Sequence, residues 1–337
     1  MKAVLLKDVE EIEVVDQDRP TREKGQTLVK VSNVGVCGSD LHCYRGNNPF
    51  MTYPRVIGHE ASGFVEEPDP DSDLKKGDRV TLDPVLNCGH CYACSIGKSN
   101  ICDNLKVYGI HTDGFMREYA QVRTDNLHKA EGIDNSLLAL AEPLTIGMQA
   151  NNQGNVGEGQ TVSVIGSGTI GLMATFVAKK VKGADKVITV DVLDERLEYA
   201  KELGADAVLN SKASDFDERY RELTDGVGSQ VVIEAVGKPV TVEQSIELAA
   251  PAGRVVILGL SRKPIELTTQ MFIGTELEVV GSRLNTNNFP QAVKILEEQG
   301  EDLEPLITHR MMLEDIEEAL FLMESSPEDV LKIMLEV

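Results

Sequence analysis

Tryptophan is absent from the chain of 337 residues, and phenylalanine occurs only 8 times. A pocket built mainly from large aromatic rings is therefore not expected. The chain also lacks an uninterrupted run of about 18 apolar residues, the length that a membrane-spanning helix needs. Its first residues, MKAVLLKDVEEIEVV, form an apolar stretch that is too short and too soon acidic for a secretory signal. We therefore expect no membrane association and a cytoplasmic location.

Basic residues are scarce relative to acidic ones. The chain has 33 Lys and Arg against 55 Asp and Glu, which gives a formal net charge of -22. Because so acidic a surface repels phosphate backbones, a nucleic-acid partner is not expected. The charge is explained equally by a need for solubility and by adaptation to high salt, and composition does not separate the two.

Cysteine is also sparse, with 6 in the chain, but four of them lie between residues 87 and 102. Where thiols stay reduced, such a cluster is typical of metal binding or catalysis rather than of disulfides. The spacing C-x₂-C-x₂-C-x₇-C offers four thiolates to one tetrahedral ion and predicts a structural zinc site, with an iron–sulfur cluster as the alternative. The predicted ligands are Cys88, Cys91, Cys94 and Cys102.

The pattern of the chain changes near residue 150. Before it, short β-rich runs such as TLVKVSNVGV and GDRVTLDPV predict a compact all-β unit. NNQGNVGEGQ, at 151–160, predicts a surface connection. After it, six strands alternate with helices as far as LEVVGSR, which predicts a doubly wound parallel sheet and an α/β protein of two domains. Beyond about Leu284 we expect two amphipathic helices and a last strand, LKIMLEV.

The segment GSGTIG has the spacing of a dinucleotide-binding loop. Gly166, Gly168 and Gly171 follow a predicted strand and open a predicted helix, and Ile170 belongs to the same loop. The helix N-terminus would bind the pyrophosphate, while the backbone at the second glycine approaches it closely. The alternative is a glycine turn that binds nothing.

An acidic residue, Asp191, ends the next predicted strand. A carboxylate there accepts hydrogen bonds from the adenosine ribose and disfavours a 2′-phosphate, so we expect NAD rather than NADP. Arg196 is the one nearby residue that could weaken this preference.

A second group of candidate ligands is scattered over VCGSDLH, GHEASG and AEPLTIG. A cysteine, a histidine and a carboxylate with one open position form a catalytic zinc arrangement. Spacing alone is equally consistent with a second interpretation, in which the same residues are ordinary packed side chains that bind no metal. The candidates are Cys37, Ser39, Asp40, His42, His59, Glu60 and Glu142.

Taken together, these motifs resemble the zinc-dependent medium-chain dehydrogenases of the alcohol, polyol and sugar-acid branch. The resemblance rests on VCGSDLH, YPRVIGHEASG, KKGDRV, the four-cysteine lobe, EPL and GSGTIG, and it covers essentially the whole chain. It implies a GroES-like catalytic domain over 1–148 with a zinc lobe at 87–102, a Rossmann NAD-binding domain over 149–283, and a return of 284–337 to the catalytic domain. It also implies two zinc ions per chain.

The resemblance assigns roles around the catalytic zinc. Cys37 and His59 would be ligands, and Glu60 and Glu142 would supply a carboxylate, although which of the two binds directly stays open. Asp40 would hold the imidazole of the histidine ligand.

The remaining roles concern protons and substrate. Ser39 and His42 match the proton relay of the family, and GSRLN places Arg283 and Asn285 where similar polyol and sugar-acid dehydrogenases contact substrate. An alternative role for Arg283 is a cofactor contact or an ion pair. The implied reaction is oxidation of a secondary alcohol of a polyol or sugar acid, with 2,3-butanediol, threonine or a simple alcohol as alternative substrates. The implied assembly is a homodimer or homotetramer.

Two rival classes fit less of the chain. A zinc-ribbon regulatory or nucleic-acid-binding protein would share the four clustered cysteines, but it would favour a basic surface and would not need the glycine loop. A metal-free quinone reductase would share the fold, but it would lack Cys37, His59 and the cysteine lobe.

Overall fold

The computed structural model describes all 337 residues, which form two compact units. Unit 1 comprises Met1–Glu142 and Thr286–Val337, and unit 2 comprises Pro143–Asn285. None of the helices combines the length and the hydropathy that crossing a bilayer requires.

The chain contains eighteen strands and eleven α-helices. The strands are β1 Lys2–Asp8, β2 Glu11–Asp16, β3 Gln26–Val36, β4 Arg55–Val56, β5 Glu60–Glu67, β6 Arg79–Leu82, β7 Val85–Leu86, β8 Lys106–Val107, β9 Tyr119–Arg123, β10 Leu127–Ala130, β11 Thr161–Ile165, β12 Lys186–Asp191, β13 Ala207–Asn210, β14 Ser229–Glu234, β15 Ala249–Ile257, β16 Glu278–Gly281, β17 Ile307–Met312 and β18 Lys332–Glu336. The helices are α1 Gly38–Tyr44, α2 Tyr92–Ser95, α3 Asn135–Leu138, α4 Ala141–Gly154, α5 Thr169–Phe176, α6 Asp194–Glu202, α7 Phe216–Leu223, α8 Pro239–Glu247, α9 Thr269–Ile273, α10 Phe289–Gln299 and α11 Ile316–Ser325.

Unit 1 is built around a seven-stranded sheet with the order β10-β6-β5-β3-β18-β17, in which β9 also pairs with β3. The last strand of the chain, β18, lies between β3, to which it is antiparallel, and β17, to which it is parallel. Ile333, Met334 and Leu335 of β18 point alternately to the two faces of the sheet and are all fully buried, so both faces are covered along this strand. The predicted all-β unit is confirmed, and so are the two tail helices, which are α10 and α11.

Unit 2 is a six-stranded parallel sheet with the order β13-β12-β11-β14-β15-β16. Its strands read as apolar runs because helices cover both faces, and alternate residues pack into two separate cores. Val231 and Ile233 of β14 belong to one core, while Val232 belongs to the other. The predicted doubly wound sheet is confirmed. Its strand order reverses between β11 and β14, and this is where such sheets bind a dinucleotide.

Two features of the chain differ from the sequence predictions. The segment 151–160 is not wholly a surface connection, because α4 continues to Gly154 and Asn151 is fully buried. The Asn151 amide nitrogen donates to the carbonyl oxygens of Gly147 and Ala174, at 2.9 and 3.0 Å, so its two N–H groups are satisfied inside the fold. Asn155, with φ of 51°, follows the end of this helix. The tail also contains β17, which the sequence did not predict.

Candidate functional site

The four clustered cysteines converge at one point in unit 1. Cys91 Sγ lies 3.5 Å from Cys94 Sγ and 3.8 Å from Cys102 Sγ, and Cys102 Sγ lies 3.5 Å from Cys88 Sγ. A disulfide would bring two sulfurs to about 2.0 Å. Tetrahedral zinc, with bonds of about 2.3 Å, holds its sulfurs about 3.8 Å apart. The cage therefore fits a single four-coordinate ion, and the sulfurs are too close together to surround a cluster of several iron atoms.

Backbone amides stabilise negative charge on the cysteine sulfurs of the lobe. The amides of Cys88 and Asn104 donate to Cys102 Sγ at 3.3 and 3.4 Å. The backbone N–H of His90 lowers the pKa of Cys88 to about 6, which favours the thiolate near neutral pH. Burial and the neighbouring Cys91 raise the pKa of Cys94 to about 11, so full deprotonation of the cage requires a cation to compensate it.

A second cluster, also in unit 1, joins a cysteine, a histidine and a glutamate. Potential ligand atoms of Cys37, His59 and Glu60 all lie within 4.8 Å of one another. Cys37 ends the loop after β3 and caps α1, while His59 and Glu60 come from the start of β5. Sulfur, nitrogen and oxygen donors in one partly open cluster match the donor set of a catalytic zinc.

Asp40 ties the two ligand-bearing segments together. One carboxylate oxygen accepts from the Cys37 amide at 2.9 Å, and the other accepts from the Gly58 amide at 3.3 Å. The second oxygen also lies 3.5 Å from His59 Nδ1, which leaves the other ring nitrogen facing the cluster. Burial alone would lower the pKa of His59, but the Asp40 and Cys37 charges raise it well above its ordinary value.

The predicted relay residues lie on α1. Ser39 Oγ is 3.2 Å from His59 Nε2, and Ser39 is half-buried. His42, three residues later on the same helix, is exposed. Since residues three apart share a helix face, the two side chains lead from the cluster towards solvent.

Lys332 belongs to this site and sequence reasoning missed it. Its Nζ lies 2.8 and 2.6 Å from the two Glu60 carboxylate oxygens and donates to the Val36 carbonyl at 3.1 Å. The side-chain exposures of Lys332 and Glu60 are 3% and 0%. Gly35 lies opposite Glu60 in the β3–β5 ladder, and a Cβ at Gly35 would overlap the Glu60 carboxylate. The strand pairing therefore holds this carboxylate between a lysine and the other candidate ligands.

Glu142 lies in the first turn of α4 and is 5% exposed. Its carboxylate is not among the three ligand atoms that converge, so the geometry favours Glu60 as the nearer oxygen donor. Burial raises the pKa of Glu142 to about 8, with Glu60 adding to the shift and His59 opposing it. A second carboxyl group beside the cluster can thus carry a proton near neutral pH.

The glycine loop of unit 2 connects β11 to α5. Gly166 has φ of 100°, a conformation that favours glycine, and its amide donates to the Val190 carbonyl at 2.7 Å. A Cβ at Gly171 would overlap the Gly166 carbonyl. Gly168 precedes α5, and Ile170 lies half-buried in its first turn. The loop therefore presents the open N-terminus of a helix, which fits the phosphates of a dinucleotide.

Asp191 and Arg196 both adjoin this loop. The Asp191 carboxylate accepts from the Ser167 amide at 2.5 Å and from the Val192 amide at 2.6 Å. Arg196 extends back from α6, and its Nη1 lies 3.8 Å from where a Cβ of Gly168 would be. A cation consequently lies beside the predicted pyrophosphate position. Of the two predicted substrate residues, Arg283 is exposed and Asn285 is 3% exposed.

Two family models match the chain. The model for the alcohol dehydrogenase GroES-like domain matches residues 23–132, and the model for a zinc-binding dehydrogenase matches residues 169–298. The starvation-sensing protein RspB of Escherichia coli K12 is 39% identical over 337 residues, which is 99% of each chain. The crystal structure of the RspB alcohol dehydrogenase from E. coli CFT073 with NADH has a TM-score of 0.93 at 38% identity and covers 100% of this chain and 99% of that one.

Relatives at lower identity differ in their substrates. L-galactonate-5-dehydrogenase of E. coli K12 is 32% identical over 92% of this chain and 91% of its own. L-threonine 3-dehydrogenase of Pyrococcus abyssi is 34% identical over 96% of this chain and 95% of its own. Similarity of this degree does not select one alcohol.

Proposed function

The chain belongs to the zinc-binding alcohol dehydrogenase family, and on that premise we propose that it oxidises a secondary alcohol of a polyol or sugar acid, reversibly, with NAD. The observation that carries the proposal is the convergence of Cys37, His59 and Glu60 beside the Ser39 hydroxyl. When bound, zinc supplies Lewis acidity to the substrate oxygen, and the nicotinamide ring supplies the hydride acceptor.

We propose that the chain itself handles the proton and orients the ligands. Ser39 would take the proton of the substrate hydroxyl, and His42 would release it to solvent from the exposed end of the same helix face. Asp40 would keep the His59 imidazole oriented through its contact with Nδ1. The four-cysteine lobe would hold a second zinc that is purely structural, because all four positions of a tetrahedral ion are filled.

NAD is the proposed cofactor because Asp191 ends β12 next to the glycine loop and would disfavour a 2′-phosphate. The RspB structure, which contains NADH, supports this choice. The ratio of kcat/KM for NAD to that for NADP is the direct test, and equal values would contradict the proposal. In an Arg196→Ala variant we expect that ratio to rise, because a cation beside the glycine loop has been removed.

The proposed substrate class depends on Glu142 and on Arg283. A glutamate at position 142 resembles the polyol-type members, and an arginine offers a planar fork to adjacent hydroxyls or a carboxylate. The similarity to L-galactonate-5-dehydrogenase supports a sugar acid. The similarity to L-threonine 3-dehydrogenase supports threonine as the alternative, alongside 2,3-butanediol and simple alcohols.

A single experiment tests the reaction and the metal content together. Zinc per chain is measured by elemental analysis, and NAD reduction is screened over sugar acids, polyols, 2,3-butanediol, threonine and ethanol. We expect two zinc ions per chain and the highest kcat/KM for a polyol or sugar acid. Better turnover of threonine or ethanol would reject the substrate class, and no zinc in active protein would reject the mechanism.

The Arg283→Ala variant tests whether Arg283 binds the substrate. A lower kcat/KM for the preferred polyol or sugar acid, with an unchanged Kd for NADH, would support that role.

A further inference from the structure

Glu234 is a fully buried carboxylate in unit 2 for which the dehydrogenase chemistry described above has no use. It is the last residue of β14, and its exposure is 0%. One oxygen, Oε1, accepts from the Val236 amide at 2.9 Å, the Gly237 amide at 2.8 Å and Thr241 Oγ1 at 2.7 Å. The other oxygen, Oε2, is buried without a hydrogen-bond partner. Burying a carboxylate is costly, so a group held in this way needs a reason to be there.

The position of Glu234 in the sheet supplies that reason. Glu234 pairs with Ile165, the last residue of β11, and the Ala235 amide donates to the Ile165 carbonyl at 2.9 Å. These are the two strands between which the strand order reverses. The carboxyl ends of strands at such a reversal form the crevice that a dinucleotide crosses. Glu234 therefore lies at the base of that crevice, on the strand next to the one that leads into the glycine loop.

The turn that Glu234 holds, residues 235–237, packs directly on the glycine loop. Val236 is 38% exposed, and its Cγ2 lies 2.6 Å from where a Cβ of Gly166 would be. On its other side the turn contacts the segment that follows β15, because a Cβ at Gly237 would lie 2.8 Å from the backbone of Gly259. The amide of Gly259 donates in turn to the Glu234 carbonyl at 3.1 Å. Glu234 thus orders one side of the crevice, because its side chain binds the turn 235–237 and its carbonyl binds the Gly259 amide.

The sheet also indicates which half of the cofactor meets this wall. Asp191 ends β12, on the far side of β11, where the adenosine ribose is expected. A dinucleotide that crosses the reversal point would place its nicotinamide half over β14 and β15. We propose that Glu234 is a positioning residue, which orders the turn 235–237 and so determines affinity for the nicotinamide half of the cofactor without contributing to the adenosine half. This inference rests on the proposed use of NAD.

The test compares two ligands on the zinc-loaded, full-length protein. NADH reports on the whole cofactor, and ADP reports on the adenosine half alone. In Glu234→Ala the turn loses three hydrogen bonds, and we expect the Kd for NADH to rise about tenfold or more while the Kd for ADP stays within about twofold. Thr241→Val removes one of the three bonds, and we expect a rise of about threefold. Glu234→Gln keeps an acceptor at the position of Oε1 and should restore NADH binding to within about twofold of wild type.

Ser245→Ala is the matched control. Ser245 is buried in α8, the helix that also contains Thr241. Its hydroxyl donates to the Val242 carbonyl at 2.6 Å and does not contact the turn 235–237. Loss of this hydroxyl should leave the Kd values for NADH and for ADP unchanged. The inference is overturned if Glu234→Ala binds NADH as tightly as wild type, if ADP affinity falls in the same proportion, or if Glu234→Gln loses as much as the alanine variant. Should Glu234→Ala fail to fold, Thr241→Val decides by the same comparison. Wild-type protein that binds ADP and NADH equally weakly contradicts the proposed function itself.

Discussion

At the scale of single residues, the pairing of Lys332 with Glu60 makes the fold and the candidate zinc site depend on each other. A buried ion pair is stable only while both members are present, because a lone charge in the interior has no water to compensate it. Gly35 contributes by its lack of a side chain, which leaves room for the carboxylate. The same carboxylate is a candidate zinc ligand, so a cation on either side can compensate its charge.

Replacing Lys332 by Met tests this coupling. We expect the free energy of unfolding of the zinc-free protein to fall by about 3–5 kcal/mol, since Glu60 is left buried and unpaired. The loss should be smaller in zinc-loaded protein, where the ion replaces part of the missing charge. Lys201→Met is the control, because Lys201 and Glu198 form an exposed pair at 2.6 Å whose loss should cost less than about 1 kcal/mol. Equal effects of the two substitutions in urea denaturation would refute the coupling.

His128 provides a prediction about pH. Its ring stacks on Phe289 with 5.1 Å between centroids, and burial lowers the pKa of His128 to about 4. The unfolded chain protonates this histidine near pH 6.5, whereas the folded chain resists protonation until about pH 4. The free energy of unfolding therefore carries no penalty from His128 above pH 6.5 and decreases as the pH falls towards 4, by about 3 kcal/mol.

Replacing His128 by Phe keeps an aromatic ring on Phe289 and removes the titration. We expect the difference in unfolding free energy between variant and wild type to grow in favour of the variant between pH 6.5 and pH 4. Denaturant titrations at several pH values measure that difference, which also cancels the titration of all other groups. A difference that does not change with pH would show that His128 is not held neutral by the fold.

At the scale of elements, the four-cysteine lobe should be separable from the catalytic cluster. Cys94→Ser removes one of four thiolates from a closed site, so we expect the loss of one zinc per chain and a lower Tm. Cys37→Ser should abolish turnover and leave the protein folded, with the lobe zinc retained. Cys43→Ser is the control, because this buried thiol belongs to neither cluster. The variant protein should retain both zinc ions. Elemental analysis and thermal unfolding distinguish the three, and loss of both ions from Cys94→Ser would show that the sites are not independent.

The elements also show what the sequence can and cannot predict. The parallel sheet of unit 2 is predictable because each strand is an apolar run followed by a helix, and Gly166 and Asp191 mark the ends of two such strands. The lobe is predictable because its ligands are close in sequence. Lys332 is not, because a lysine in LKIMLEV has the appearance of a solvent-facing residue. Only the insertion of β18 between β3 and β17 buries it beside Glu60, and that pairing joins residues 272 positions apart.

At the scale of the whole molecule, the unpaired edge of the unit 2 sheet is a candidate contact for the homodimer or homotetramer that the sequence predicts. The strand β16 pairs only with β15, and its outer edge is open. Leu260, Ile273 and Val279, in the same part of the chain, are 90%, 78% and 41% exposed. An open strand edge beside exposed apolar side chains favours pairing with a second copy around a two-fold axis.

Light scattering at micromolar concentration tests this assembly. We expect a mass of two or four times 36.8 kDa, and a shift towards the monomer in Ile273→Asp and Val279→Lys, because each places like charges across the two-fold axis. Phe321→Lys is the control, since it makes the same kind of change at a residue that is 65% exposed on α11 in unit 1. Each chain carries a net charge of -22, so salt should strengthen association by screening the repulsion between copies. A wild-type monomer at high salt would refute the assembly, and an oligomer unaffected by either edge substitution would place the contact elsewhere.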